Sequence, residues 1–155
     1  MSRARLGLAL TVAALTSLGA CQTVKLGDPP ADVNACQPGQ QWFVNRIWPN
    51  FLGQDYGGKH CYDASCHGAG STTAMTLTDI SAEVQSLMSM TSLPNPLPPD
   101  VLADYTQAAQ RMNCSDVLDS ALLLLPEGFQ VHGGGMLIMQ GGPEEMVVKQ
   151  WVMMP

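Results

Sequence analysis

The stretch Cys61-Tyr-Asp-Ala-Ser-Cys66-His67-Gly68 constrains this chain more than any other segment, because it sets two thiols and an imidazole within seven residues. Three chemistries suit that grouping. Each thiol can add to one vinyl group of a haem while the adjacent imidazole ligates the iron from the same side. The usual spacing for that attachment is C-x-x-C-H; here it is C-x4-C-H, so the extra residues within Tyr-Asp-Ala-Ser must bulge away from the porphyrin edge. In an exported protein the same cysteines can instead close a small disulfide loop, with His67 as a polar neighbour. A Cys/Cys/His zinc site is the third reading, and it requires a fourth ligand.

The N-terminus bears on the compartment. Arg3 and Arg5 form a charged start, and Leu6 to Leu18 is an apolar run too short to span a bilayer, as in a signal peptide. It ends in Leu18-Gly19-Ala20-Cys21, which resembles the lipobox of bacterial lipoproteins. That resemblance implies cleavage before Cys21, diacylation of its thiol and a chain held to a membrane by acyl groups. Gln22 stands where an Asp would signal inner-membrane retention. The expected location is therefore the cell envelope, at the outer membrane and facing the periplasm. An ordinary signal peptide cut after Ala20 is the alternative.

Residues 1–20 are thus expected to be a signal peptide, 21–39 a Pro- and Asp-rich tether, and 40–155 one small domain. The sequence holds 13 acidic and 7 basic residues, a net charge of −6. Two of those basic residues, Arg3 and Arg5, leave with the signal, so the mature chain is more acidic still. Such a balance argues against nucleic acid as a partner and is compatible with a basic protein partner.

Of the five cysteines, Cys21 is assigned to the lipid. If Cys61 and Cys66 hold haem, Cys36 and Cys114 remain to pair in an oxidising compartment. Without haem, four thiols allow three connectivities. Parity does not choose between these.

Phe43, Ile47 and Phe51 recur at i, i+4 and i+8 and predict an amphipathic helix over 40–52, ended or kinked by Pro49. Gly53, Gly57 and Gly58 then mark a loop into the cysteine motif. Thr78 or Asp79 can cap a helix running to about Met90, with Ile80, Val84, Leu87 and Met88 as its apolar set. Residues 100–112 read as another helix. Ser120 to Pro126 is apolar without a decisive period. In Val131-His132-Gly133-Gly134-Gly135-Met136, the glycines let the main chain pass close to a flat ligand. Pro143, followed by Glu144 and Glu145, opens a last helix through Trp151.

This order of parts resembles a class I c-type cytochrome domain of a bacterial lipoprotein: an aromatic helix, a Cys…Cys-His-Gly motif, a ligand-bearing loop and a closing helix. The resemblance covers roughly residues 40–152. It implies an all-α, cytochrome c-like fold with long loops, one covalent haem c on Cys61 and Cys66, and His67 as the proximal iron ligand. The second axial ligand of that family is usually a Met in the loop before the last helix. Here that loop offers His132, with Met136 and Met139 as rivals; His132 is expected across the iron from His67. His60 is expected at the surface.

The expected function is a lipid-anchored monohaem electron carrier, non-enzymatic, whose redox partner is a protein. The alternative is a haem-free, disulfide-stabilised lipoprotein with a structural or binding role. No nucleophile–base pair, carboxylate dyad or phosphate loop stands out.

Overall fold

The computed structural model describes residues 37–154. The expectations for the signal segment, for lipidated Cys21 and for Cys36 fall outside these residues. The described residues are helical and contain no strand. In order they form α1 (Gln40–Trp42), a π-helix (Phe43–Leu52), α2 (Ser81–Met88), α3 (Pro99–Ala109), a 3₁₀ turn (Val117–Asp119), α4 (Ala121–Leu124) and α5 (Pro143–Met153).

The first apolar stripe builds the centre. Phe43, Val44, Ile47, Trp48, Phe51 and Leu52 are all buried, and the π-helix packs against both α2 and α5. Pro49 does not end this helix but lies inside it. It has no N–H to give, and its ring crowds the carbonyl one turn back. The wider π-turn accommodates both problems. The side-chain amide of Asn50 donates to Arg46 O at 2.9 Å, adding a donor on this irregular stretch.

Aromatic rings join the first and last helical segments. Phe43 meets Tyr105 edge-on at 5.7 Å between centroids, and Trp151 at 5.8 Å. Trp42 Nε1 donates to Val147 O at 3.2 Å, and Gly39 N–H donates to Met154 O at 2.9 Å. The Tyr105 hydroxyl donates to Pro38 O at 2.8 Å. The closing helix begins at Pro143 with Glu144 and Glu145 in its first turn, as its sequence predicts.

The second helix is shorter than its expected span. It starts at Ser81, whose amide donates to Asp79 Oδ1 at 3.1 Å, and stops at Met88. Ile80, Val84 and Leu87 are buried, but Met88 points outward. The third helix ends at Ala109, and Met112 beyond it is buried. Between these helices run long loops, and two of them carry the histidines.

Candidate functional site

Residues 60–68 form a compact turn organised by Asp63. Its carboxylate accepts the His60 amide at 2.7 Å, and its carbonyl accepts the amides of Cys66 and Gly68, each at 2.8 Å. The His67 amide donates to Cys61 O at 2.9 Å. The extra residues of the C-x4-C spacing are thus folded into hydrogen-bonded turns. Gly68 is required here for space: a Cβ on it would lie 2.2 Å from Tyr62 O and 2.8 Å from Ala64 N.

Cys61 and Cys66 are both free thiols, so they do not form the small disulfide loop. Burial, then the neighbouring Cys66 and Asp63, push the Cys61 thiol up to about 12. It is therefore un-ionised at neutral pH and a poor attacker of disulfides. Cys114 is disulfide-bonded, and its partner is neither of these two. Its expected partner, Cys36, lies outside the described residues.

His67 is half-buried and held by one strap of chain, residues 73–77. Its Nδ1 lies 3.1 Å from Thr73 Oγ1 and 3.2 Å from Met75 O. The Thr73 hydroxyl itself donates to Met75 O at 2.6 Å. Because a carbonyl can only accept, Nδ1 must carry the ring proton, which leaves the lone pair on Nε2. The strap also holds the main chain of His67, since Leu77 N–H donates to His67 O at 2.6 Å. Burial, partly opposed by the Met75 bond, lowers the His67 proton affinity, and His132 and Arg111 lower it further. The imidazole is consequently neutral, the form that can ligate a metal.

The loop between α4 and α5 brings His132 to His67. Their ring centroids are 5.9 Å apart and their planes 21° from parallel. His132 repeats the pattern of its partner: Nδ1 lies 3.1 Å from Gly135 O, so this ring too carries its proton on Nδ1 and its lone pair on Nε2. Gly135 reaches that position with φ of +76°, and a Cβ on Gly134 would stand 3.2 Å from the His132 ring. Gly133 has open space around it. The loop is closed at its base, where Pro126 O accepts the amides of Leu137 at 2.8 Å and Ile138 at 3.2 Å.

Of the remaining candidates, Met136 and Met139 are strongly exposed. His60 stacks on Tyr62 at 4.8 Å and approaches Asp63 at 3.8 Å. A concavity of about 520 Å³ around Trp42, Asn45 and Arg46 shares no residue with the histidine pair.

The donor set discriminates between metals. Among the described residues no three His, Cys, Asp or Glu side chains converge on one point. A protein zinc site needs three or four such ligands. A haem iron takes four nitrogens from its porphyrin and needs only two from the chain. The chain brings two imidazoles together, stacked with centroids 5.9 Å apart, each with its lone pair on Nε2.

The residues that hold His67 carry no motif. Met75 contributes a carbonyl, and Thr73 is one of several threonines. Arg111 donates to Gln107 O at 2.9 Å and to Ala74 O. Asp104 accepts the Thr78 amide. A signal for Asp104 does exist: it shares the buried stripe of α3 with Val101 and Ala108.

No family model, no curated protein and no solved structure matches this chain.

Proposed function

We propose that this chain is a lipid-anchored, monohaem c-type cytochrome domain that carries electrons in a bacterial envelope. The observation that carries this reading is the His67–His132 pair, in which each imidazole spends its Nδ1 proton on a main-chain carbonyl and keeps Nε2 for a ligand. Orienting bonds of this kind fix the tautomer of metal-ligating histidines.

In this reading Cys61 and Cys66 would hold the haem covalently, and His67 and His132 would ligate its iron. When bound, the haem would supply a one-electron iron couple. The protein's own work is to orient two neutral imidazoles, shield their faces and exclude competing ligands. The helical order, from aromatic first helix to closing helix with Trp151, supports a cytochrome c-like arrangement. Cys21 would bear the acyl anchor and Cys36 would pair with Cys114. The partner is then a redox protein at the outer membrane's periplasmic side, not nucleic acid.

The test is expression with a c-type haem assembly system, read by mass and by visible spectrum. The expected product gains the mass of one haem and shows a low-spin, six-coordinate spectrum. Cys61→Ser with Cys66→Ser should lose the covalent link. His132→Ala should keep it and open the sixth site to carbon monoxide. A wild-type protein without haem absorption would overturn the reading in favour of a haem-free module. An unchanged low-spin spectrum in His132→Ala would move the sixth ligand to Met136 or Met139.

A further inference from the structure

The hydrogen-bonding partners of the His67 ring and of its carbonyl come from the strap 73–77, and that strap is tied to α3 and the turn after it at two points. Beyond its C-terminal end, Thr78 N–H donates to both carboxylate oxygens of Asp104, at 3.2 and 3.1 Å. Near its N-terminal end, the guanidinium of Arg111 donates to Ala74 O. Arg111 follows the end of α3 and also donates to Gln107 O at 2.9 Å. That carbonyl belongs to the last turn of the helix, where backbone acceptors are unfilled and a cation is favoured. The guanidinium fork thus bridges the helix terminus and the strap, which a single-point ammonium cannot reproduce.

We propose that Arg111 is a positioning residue for His67: by fixing the Ala74 carbonyl it holds the next one, Met75 O, where that oxygen accepts the Nδ1–H hydrogen bond and leaves Nε2 for the iron. The inference rests on the haem reading for its redox consequence, but its geometric half concerns this chain's residues alone. The guanidinium also sets a positive charge on the carbonyl next to the one that holds the His67 ring. In haem-loaded protein a positive charge there would disfavour oxidised iron and raise the midpoint potential.

Two readouts separate the parts. In haem-free protein, ¹⁵N spectra of the His67 ring report its tautomer directly. Wild type should show one Nδ1–H form; Arg111→Gln should show a mixture of tautomers, and Arg111→Lys an intermediate pattern. In haem-loaded protein, Arg111→Gln should lower the midpoint potential. Arg111→Lys should keep it near wild type while changing the electron-spin signature of axial imidazole orientation. Arg46→Gln, which removes an exposed cation stacked 5.9 Å over Trp42, serves as the control and should move neither readout. Unchanged tautomer and potential in Arg111→Gln would overturn the proposal. If Arg111→Gln fails to fold, Arg111→Lys decides, because a wild-type ring pattern there would remove the need for the fork. A wild type that takes up no haem fails the haem reading, and the nitrogen spectra still test the positioning.

Discussion

The indole N–H of Trp151 donates to the carbonyl of Gly39 at 2.9 Å, across 112 residues of sequence. The bond ties α5 to the residue just before α1, and the same ring packs against Phe43 and Tyr105. Gly39 O also accepts the Phe43 amide at 3.1 Å, so it keeps a partner if the indole is lost. Trp151→Phe should therefore cost only about 1–2 kcal/mol, one hydrogen bond and a small void. Trp151→Ala should cost about 3–5 kcal/mol by opening a cavity in the aromatic cluster. Urea unfolding followed by Trp48 and Trp42 fluorescence checks both values, and equal effects would show that the bond, not the packing, dominates.

Gly68→Ala should disrupt the thiol-bearing turn. The added methyl would overlap Tyr62 O and main-chain atoms of Asp63 and Ala64. Backbone atoms cannot step aside as a flexible side chain does, so a loss of about 2–3 kcal/mol or more is expected. Amide spectra should show the change concentrated in residues 60–68. A variant as stable as wild type, with unshifted Cys66 and His67 amides, contradicts the close packing described here.

Asp104 gives the fold an acid-side preference. It is 1% exposed, and burial, only partly offset by the Thr78 amide, lifts its carboxyl from 3.8 to about 7, with Asp100 on the preceding turn adding to the rise. The folded state therefore holds a proton that the unfolded chain gives up from about pH 4 upward. Stability from this group is fully present below pH 3.8 and declines as pH rises to about 7, by up to about 4 kcal/mol across that interval. Asp104→Asn should flatten that part of the stability profile. Chemical denaturation at pH 4, 5.5 and 7 measures it; identical slopes in the two proteins would show that Asp104 does not titrate there.

Glu127 and Glu145 bracket the loop that carries His132. Glu145 accepts the Gly141 amide and the Lys149 ammonium, the latter at 3.4 Å, and these hold its carboxylate below the usual range. Burial, then the Glu145 charge, raises the Glu127 carboxyl, whose Oε1 is buried without a partner. Stability from that proton is present below the unfolded glutamate range and fades as pH rises. Glu127→Gln keeps the shape without a proton to lose. Its melting temperature should exceed that of wild type at pH 8 and approach it at pH 4. The reverse order would show that Glu127 is not the group that titrates.

The legible parts of this molecule are those where side chains themselves repeat or cap. Phe43, Ile47 and Phe51 announced one buried helix face, and Pro143 with Glu144 and Glu145 announced the last helix. Pro49 was expected to end or kink that helix, and it does not end it: six buried neighbours on the same segment keep it running as a π-turn. Met88 misled in the other direction: the α2 face is satisfied by Ile80, Val84 and Leu87, and the long thioether is left outside. That His132 should come near His67 was expected only through the likeness to a cytochrome loop; neither spacing nor periodicity announces it. The strap was not, since Met75 O and Ala74 O act through main-chain atoms that every residue possesses. Their importance emerges only when Arg111 and His67 are seen to converge on the same few carbonyls.

The missing Cβ atoms, unlike those carbonyls, do leave letters behind. Gly68 must be bare for the turn to close, Gly135 suits its positive φ, and Gly134 lets the main chain lie close to the His132 ring. With Thr73 six places after His67, these spell C-x4-C-H-G-x4-T early in the domain and H-x-G-G before the closing helix. Letters chosen by sterics change only when their neighbours change with them. A distant cousin whose helices have drifted past recognition should still spell them, which makes this sparse spelling a better probe for kin than overall similarity.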